Sequence, residues 1–408
     1  VRDYAKLKVV MSRIEVREVH SEETLTTARL VADYAFGASP SKPADEEERR
    51  RALRFRGNAR TLVAFDGDQP LATATLLPMT QNVRGMVVPM GGVAAVATLP
   101  AARRLFFFLS VFTDIYTGMR EAGMPVSALY PFRASFYERL GYAGFPAPRF
   151  ATLDPADLAP LVRMDKPGRV ELCSMADGFD AWRTFLTEYQ RGAHGFSLRE
   201  EISARRRQDS NDGWVLLARD ERDQIVGAMI YRITGYTGVL RAESFYARTS
   251  LGRYLMLDWI GRHVDQVKSA ILLLAPDDHP ELWFRDLNAQ SSTQDDEAWP
   301  APMGRIVSVA GIGGIAAGDG TFTVRIEDEH CPWNNEVYSF TGTGGELSVE
   351  RGGTPSGTLT IQGLSALVYA GTDPADFPIR GWGDPDAPTR ATMRAMFPPA
   401  TPMMHEQF

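Results

Sequence analysis

Two arginines and a tyrosine are the residues of this chain whose types and spacing best suit chemistry. Arg103 and Arg104 follow an apolar, β-prone run and stand at the start of a segment with helical spacing. A basic pair at a helix N-terminus opposes the helix macrodipole, which favours a bound anion held by the arginines and the first amides. Further along, Tyr137 offers a phenol whose ordinary pKa of about 10 suits protonation of a more acidic leaving group. A solvated arginine pair and a packed core tyrosine are the alternatives.

Two strands and two helices must position these residues. Apolar and β-branched runs predict strands over 87–98 and 126–130, and apolar residues at helical spacing predict helices over 103–122 and 135–140. The Gly91–Gly92 pair lies within the first of these strands and is expected to form a bulge or bend there. The predicted order is therefore a strand, a basic turn, a helix, a short strand and a second helix that bears the tyrosine.

The rest of the chain predicts further units of mixed structure. With 408 residues the chain is too long for one ordinary core. The strands above belong to one mixed sheet, and a predicted helix over 22–36 is one of the helices on its faces. The following segment repeats this order of strands and helices. From Met303 on, short strands separated by glycine-rich turns indicate a small α+β domain. We predict an α/β fold with an N-terminal extension and three domains, over 1–10, 11–153, 154–298 and 299–408.

Composition and charge argue against several classes of function. The formal net charge of −7 and the pI of about 5.5 disfavour a general nucleic-acid role, which needs a basic field. No apolar run has the length that spans a membrane, and residues 1–10 lack an apolar signal core, so we expect a cytoplasmic protein. Cys173 and Cys331 predict no disulfide framework, and His330 beside Cys331 cannot supply the four ligands of a zinc site. We expect no bound metal.

Several motifs resemble those of the Eis (enhanced intracellular survival) family of GCN5-related N-acetyltransferases. They are the stretch 93–104, Leu129-Tyr130-Pro131-Phe132 followed by Phe136-Tyr137 and Gly141-Tyr142, His330-Cys331-Pro332-Trp333-Asn334, and the C-terminal phenylalanine. The resemblance covers essentially the whole chain beyond Met11. It implies two tandem acetyltransferase-like domains, the second non-catalytic, and a C-terminal domain like sterol carrier proteins. It also implies acetyl transfer from acetyl-CoA to primary amines of small cationic molecules, such as aminoglycosides or lysine, and a homohexamer.

The resemblance assigns the acetyl-CoA co-substrate to two places. The backbone groups of Val96 and Thr98 match those that pair with the pantetheine arm, because an extended amide chain can bind along a strand edge. Arg103 and Arg104 match the residues beside the CoA pyrophosphate, where guanidinium groups and helix amides hold an anion well. An ordinary strand is the alternative for Val96 and Thr98.

The resemblance also implies catalytic and acceptor-binding roles. Tyr137 matches the general acid that returns a proton to the CoA thiolate, and the C-terminal carboxylate of Phe408 matches the general base. Asp33 and Phe36 lie in a segment similar to the substrate-pocket helices, where an aromatic and acidic cluster suits a polyamine. Glu406 is the acid nearest the C-terminus and a further candidate for acceptor binding. A plain core helix is the alternative for Asp33 and Phe36.

One position departs from the family pattern. Phe106 stands where the family turn has glycine, and glycine there lets backbone amides approach the phosphates. Two hypotheses follow: an acetyl-CoA-dependent N-acetyltransferase, or a catalytically degenerate Eis-like binding protein whose pyrophosphate turn is blocked by Phe106. An acyltransferase for another thioester is a third. Phe106→Gly separates the first two, since it improves CoA binding strongly only where the phenylalanine blocks the turn.

Overall fold

The chain folds into layers of sheet and helix. The computed structural model describes residues 14–37, 40, 45–102, 107–293, 300–369 and 371–408. Within these residues the chain forms three sheets of eight, seven and four strands, with helices packed on their faces. This is the α/β architecture that the sequence predicts. No described helix is both long and apolar enough to cross a membrane.

The first sheet is built mainly from the N-terminal part of the chain. Its strands are β1 Ile14–Val19, β2 Arg60–Asp66, β3 Gln69–Val83, β4 Met86–Thr98, β5 Val126–Leu129, β6 Ala143–Gly144, β9 Ser197–Arg199 and β15 Met303–Ile306. They lie in the order β1-β2-β3-β4-β5-β15-β6, and β9 pairs with β3 near its end. The first four strands are antiparallel neighbours, whereas β4 and β5 are parallel.

Helices cover both faces of this sheet. They are α1 Ser21–Thr26, α2 Ala28–Phe36, α3 Glu46–Arg54, α4 Phe107–Glu121 and α5 Ala134–Glu138. Val111, Ile115 and Met119 recur at a spacing of four, which gives α4 one buried stripe. That stripe packs against β2 and β3 and forms the core on one face of the first sheet.

The helix predicted over 22–36 is divided in two at Thr27. Its backbone has φ −116° and ψ −73°, outside ordinary helix geometry. The Thr27 hydroxyl donates a hydrogen bond of 2.6 Å to the carbonyl oxygen of Glu23. Such local side-chain bonds compete with the regular helix ladder, and helical apolar spacing does not register them.

The second sheet belongs to the middle of the chain. Its strands are β7 Arg149–Leu153, β8 Arg169–Ser174, β10 Trp214–Arg219, β11 Ile225–Ile233, β12 Gly238–Ala247, β13 Val267–Leu274 and β14 Gln290–Ser292. They lie in the order β14-β7-β13-β12-β11-β10-β8. As in the first sheet, one pair of inner strands, β12 and β13, is parallel. Its helices are α6 Ala159–Val162, α7 Met175–Gln190, α8 Glu201–Ser210 and α9 Ser250–Gly261.

Three strands pair outside the segment in which the sequence analysis puts them, and one of them is β9, which comes from the predicted central domain and pairs with β3 of the first sheet. The predicted boundary at 153/154 assigns 149–153 to the first domain, yet this strand pairs with β13 and β14 of the second sheet. The strand 303–306 follows the predicted boundary at 298/299, yet it lies between β5 and β6 of the first sheet. Alternation identifies a strand but not the sheet that accepts it, because every open edge offers the same backbone groups.

The C-terminal part forms the third sheet and joins the first. The strands β16 Gly320–Glu327, β17 Val337–Thr343, β18 Glu346–Arg351 and β19 Thr358–Thr360 lie in the order β18-β17-β16-β19, with helices α10 Ile361–Tyr369, α11 Phe377–Arg380 and α12 Ala387–Met396. Arg305 of β15 and Asp328 beyond β16 form a fully buried ion pair with an N···O distance of 2.7 Å. The Arg305 guanidinium also lies 4.2 Å from the centre of the Tyr116 ring on α4. This pair fixes the third domain against the core of the first.

Candidate active site

The two parallel strands of the first sheet separate part-way along their length. β4 and β5 pair from Met90 opposite Val126 to Gly92 opposite Ala128, where the described pairing ends. Beyond Gly92, residues 93–98 of β4 lack β5 as a neighbour. We call this divergence the first fork. A strand edge released in this way can hydrogen-bond the amides of an extended ligand.

The bulge near this fork is not where the sequence predicts it. Gly91 and Gly92 keep regular register with β3, opposite Pro78 and Leu77. The irregularity lies at Ala95 and Val96, where β4 carries one residue more than β3 and Ala95 has φ +50°. The prediction of a bulge at Gly91–Gly92 was therefore wrong.

Close packing explains the glycine pair instead. A Cβ at Gly91 would clash with Met119 Cε, and a Cβ at Gly92 would lie 3.2 Å from the Phe408 ring. Successive residues of a strand point to opposite faces of the sheet. Because the two glycines have no side chain, α4 can pack on one face of β4 and the C-terminal residue on the other.

Val96 and Thr98, the predicted pantetheine contacts, lie beyond the fork. Val96 belongs to the bulge, is half-buried and packs on the core shared with α4. Thr98 pairs with Ala72 of β3 at the end of the strand. Arg103, Arg104 and Phe106 lie outside the described residues, and their roles stay predictions.

Tyr137 lies on α5 inside a group of aromatic rings. Its side chain is only 3% exposed, and the centre of its ring is 5.0 Å from that of Phe136, 5.6 Å from Phe132 and 6.1 Å from Tyr142. No described residue hydrogen-bonds the Tyr137 hydroxyl. Burial, with a smaller contribution from Tyr142, raises the pKa of Tyr137 above its ordinary value. The phenol is therefore held in its protonated form and can serve as a proton donor.

A short chain of contacts links Tyr137 to the fork. The hydroxyl of Tyr142 lies 2.8 Å from Ser127 Oγ, which donates a hydrogen bond of 2.8 Å to the carbonyl oxygen of Gly91. Burial raises the pKa of Tyr142 to about 12. The sequence analysis quoted Tyr142 in a motif without giving it a role, and it missed Ser127, because nothing in the spacing shows that the two hydroxyls meet.

Phe408 reaches the same fork from the opposite face. Its ring lies 5.6 Å from the centre of the Tyr130 ring, edge to face, and beside Gly92. The preceding tail is held along its length, since Met403 N–H donates to the carbonyl oxygen of His194 at 2.9 Å and Tyr130 Oη donates to that of Glu406 at 3.1 Å. The structure thus brings the C-terminus to the strand that also packs against α4.

The three predicted acceptor-binding residues have different surroundings. Asp33 pairs with Arg29 one helical turn away, at 3.3 Å, and Phe36 is 65% exposed at the end of α2. Glu406 forms ion pairs with Arg199 at 3.2 Å and Arg183 at 3.7 Å. Its negative charge is already matched by two arginines that the sequence analysis did not select.

Comparisons with known proteins agree with this geometry. Residues 15–145 match the model of the acetyltransferase (GNAT) domain, and residues 312–405 match that of the sterol carrier protein domain. Eis1 from Mycobacterium abscessus shares 20% identity with the chain over 97% of this chain and 100% of that one, with a TM-score of 0.75. The chain has an Eis-like GNAT fold. No curated protein matches it at the level of sequence.

Other solved structures share this fold over nearly their whole length. A probable N-acyltransferase from Enterococcus faecalis V583 has 20% identity and a TM-score of 0.82, covering 97% of this chain and 99% of that one. A GCN5-related N-acetyltransferase from Kribbella flavida has 22% identity and a TM-score of 0.80, covering 98% and 100%. The match to the GNAT domain supports acyl-CoA-dependent N-acetyl transfer as the general activity. Among the described residues, no group of three His, Cys, Asp or Glu side chains is placed to hold a metal ion.

Proposed function

We propose that this Eis-like GNAT protein transfers the acetyl group of acetyl-CoA directly to a primary amine at the first fork. One observation carries the proposal: Tyr137 and Phe408 approach the fork from opposite faces of β4. Tyr137 shares its core with Met119, which packs on Gly91, whereas Phe408 packs on Gly92. A donor and a base on opposite faces suit a reaction in which the thiolate leaves the acetyl carbonyl on one side and the amine attacks it from the other.

The residues divide the proton transfers of this reaction between them. As the amine attacks the acetyl carbonyl, the new C–N bond forms, the C–S bond breaks and the thiolate leaves. Tyr137, kept protonated by its raised pKa, gives its proton to the departing sulfur. The carboxylate of Phe408 accepts the proton that the attacking nitrogen loses.

Direct transfer is favoured over a covalent enzyme intermediate. Cys331 is the cysteine that belongs to the core of the first domain, where it contacts Arg305. Burial raises its pKa to about 12, so the thiol stays protonated and is a poor nucleophile. This supports attack by the acceptor amine itself.

The acceptor and the assembly are the finer parts of the proposal. We propose small cationic amines, aminoglycoside-like or lysine-like, with Asp33, Phe36 and Glu406 as candidate contacts. A homohexamer in the cytoplasm belongs to the same proposal. The resemblance to the Eis family is what supports these points, and the arginine partners of Glu406 leave Asp33 as the acid with the weaker counter-charge.

The experiment combines binding and turnover. Acetyl-CoA is titrated calorimetrically into the protein, and release of the CoA thiol is then followed with a panel of primary amines. One added glycine after Phe408 keeps the aromatic ring but moves the carboxylate by a residue. We expect this extension to abolish most turnover and to leave acetyl-CoA binding intact. Turnover that survives the extension would remove Phe408 from the mechanism.

Phe106 supports a second candidate function, an Eis-like binding protein without catalysis. The phenylalanine replaces the glycine of the family's pyrophosphate turn. The Phe106→Gly variant, titrated with acetyl-CoA beside the natural protein, separates the candidates. Binding by the natural protein favours the transferase, whereas binding that appears only in the variant favours the degenerate protein.

A further inference from the structure

A second fork lies in the central domain. β12 and β13 pair in parallel from Gly238 to Ala242, and the described pairing stops at Ala242 opposite Leu272. The β12 strand also carries an extra residue at this point, since Ile230 and Tyr231 face Ser244 and Ala242 and leave Glu243 between them. The second fork thus repeats the divergence and the bulge of the first.

A cavity of about 650 Å³ opens at the second fork. Glu243 of the bulge and Leu273 of β13 are part of its wall, and residues 401–407 of the tail close another side. Tyr130 also lines it and touches Phe408 at the first fork. The cavity is large enough for a small organic ligand.

The wall of this cavity carries more positive than negative charge. Among the described residues, six arginines line it against three acids, Asp212, Glu243 and Glu406. Each acid is already paired: Asp212 with Arg232 at 2.8 Å, Glu243 with Arg207 and Arg232, and Glu406 with Arg199. The arginines are Arg149, Arg199, Arg206, Arg207, Arg232 and Arg241. Among the described residues, Arg149 and Arg206 form no ion pair, and an anionic ligand would complement their charge.

Two buried N–H groups in the wall lack an acceptor. Trp182 is 2% exposed, and among the described residues neither its indole Nε1 nor the buried Nε of Arg207 has a hydrogen-bond partner. The Arg207 guanidinium lies 6.0 Å from the centre of the Trp182 ring, so the two donors belong to one part of the cavity. Buried donors are nearly always satisfied in proteins, and both of these groups can only donate. They call for an oxygen acceptor that none of the described residues supplies.

We propose that the second fork binds a small anionic molecule through phosphate or carboxylate oxygens. The oxygens accept from the arginines and from Trp182, while Tyr130 and Pro146 face the apolar part of the ligand. The site lies apart from Tyr137, shares Glu406 with the proposed acceptor contacts, and needs no catalysis. Because residues 401–407 form one wall, its ligand touches the segment that ends in Phe408.

Calorimetry of the full chain at low salt tests this site directly, with inorganic pyrophosphate and citrate as two separate probes. We expect saturable binding of at least one of them, and which one binds distinguishes phosphate from carboxylate chemistry. Arg206→Gln and Arg232→Gln should weaken binding by about threefold to tenfold each, as expected for a lost charged contact at a half-exposed site. Glu243→Gln should tighten it, since it frees two arginines. Trp182→Phe should weaken it without a change in charge.

Three controls make the result decisive. Arg248→Gln removes an exposed arginine of the same domain that pairs with Glu188 outside the cavity, and it should leave binding unchanged. Trp259→Phe, whose indole already bonds Tyr231, should also be neutral. Arg103→Gln tests whether the probe enters the first domain instead. Absence of saturable binding, equal losses in Arg248→Gln, or a loss confined to Arg103→Gln would each overturn the proposal.

Discussion

The first and second forks share a backbone arrangement and differ in the side chains that surround them. In both, two parallel strands separate next to a one-residue bulge on the upstream strand. The first bulge holds Ala95 and Val96, and its surroundings are aromatic rings and a buried phenol. The second holds Glu243 between two arginines, in a basic cavity. The divergence supplies an opening, and the residues around it decide whether that opening suits proton transfer or anion binding.

The C-terminal tail connects the two forks. Residues 401–407 close the second fork, and the next residue, Phe408, packs at the first. Tyr130 touches both parts of the tail, through its hydroxyl to Glu406 and its ring to Phe408. Changes at the second fork are therefore expected to reach the first through the tail.

The largest effect should come from the buried ion pair behind the first fork. Asp328→Asn leaves the Arg305 guanidinium buried without a counter-charge, which we expect to lower the free energy of unfolding by about 3–5 kcal/mol. Asp373→Asn is the matched control, since its pair with Arg394 is about half exposed. We expect a much smaller loss there, because water and salt screen an exposed pair. Urea unfolding of both variants measures the difference, and similar losses would contradict a special role for burial.

Tyr137→Phe should separate the chemistry of the first fork from its stability. Loss of the proton donor is expected to lower kcat by about 10²-fold or more, with little change in the KM for acetyl-CoA. Tyr236→Phe alters an 83% exposed tyrosine of the central domain and should have no effect. Steady-state kinetics with any amine that proves to be an acceptor checks this. Unchanged kcat in Tyr137→Phe would exclude the phenol as the acid.

Gly92→Ala tests how closely the tail fits the first fork. The new Cβ would lie 2.7 Å from Met79 Sδ and 3.2 Å from the Phe408 ring, so the tail must shift. We expect a loss of about 1–3 kcal/mol in unfolding free energy, and a lower kcat. Gly144→Ala, on β6 of the same sheet, meets nothing within 4 Å and should be nearly neutral. Equal stability of the two variants would show that the contact between Gly92 and Phe408 carries little energy.

Much of this architecture follows from the sequence, and the exceptions have a common cause. The α/β class, the GNAT and sterol-carrier-protein-like domains and most elements were predicted correctly. The bulge was placed at Gly91–Gly92 because glycine often marks one, whereas those glycines serve close contacts from distant elements. The sheet assignments of 149–153 and 303–306 likewise depend on tertiary pairing. Local sequence patterns do not indicate which distant segment will pair with or pack against a given residue.

The same limit applies to the sites. Tyr137 and Phe408 could be selected because one belongs to a compact motif and the other ends the chain. The arginines of the second fork are spread from Arg149 to Arg241, and no spacing rule joins them. Glu406 was selected for its charge, but its two arginine partners come from α7 and β9. Only the folded chain shows which charges remain unmatched.

The smallest effect concerns the tail and pH. His405 stacks on Phe196 at 4.8 Å, and its Nδ1 lies 2.7 Å from Tyr246 Oη. Burial lowers its pKa to about 4, and the pKa of His194 is likewise lowered to about 4, from 6.5. The unfolded chain therefore takes up these protons first as pH falls. Stability should be full above about pH 6.5 and decline towards pH 4, by about 1–2 kcal/mol per histidine at pH 5.

Urea unfolding at pH 7 and pH 5 measures this decline, and His405→Gln should remove roughly half of the part due to these two histidines. His279→Gln, an exposed histidine paired with Glu281, is the control and should keep the natural pH dependence. If His405→Gln also keeps the natural pH dependence of unfolding, burial does not lower the pKa of His405 as proposed. If the pH dependence of unfolding is weaker in His405→Gln, protonation of His405 at low pH loosens residues 401–407, which close the second fork. In that case kcat at the first fork should decrease over the same pH range.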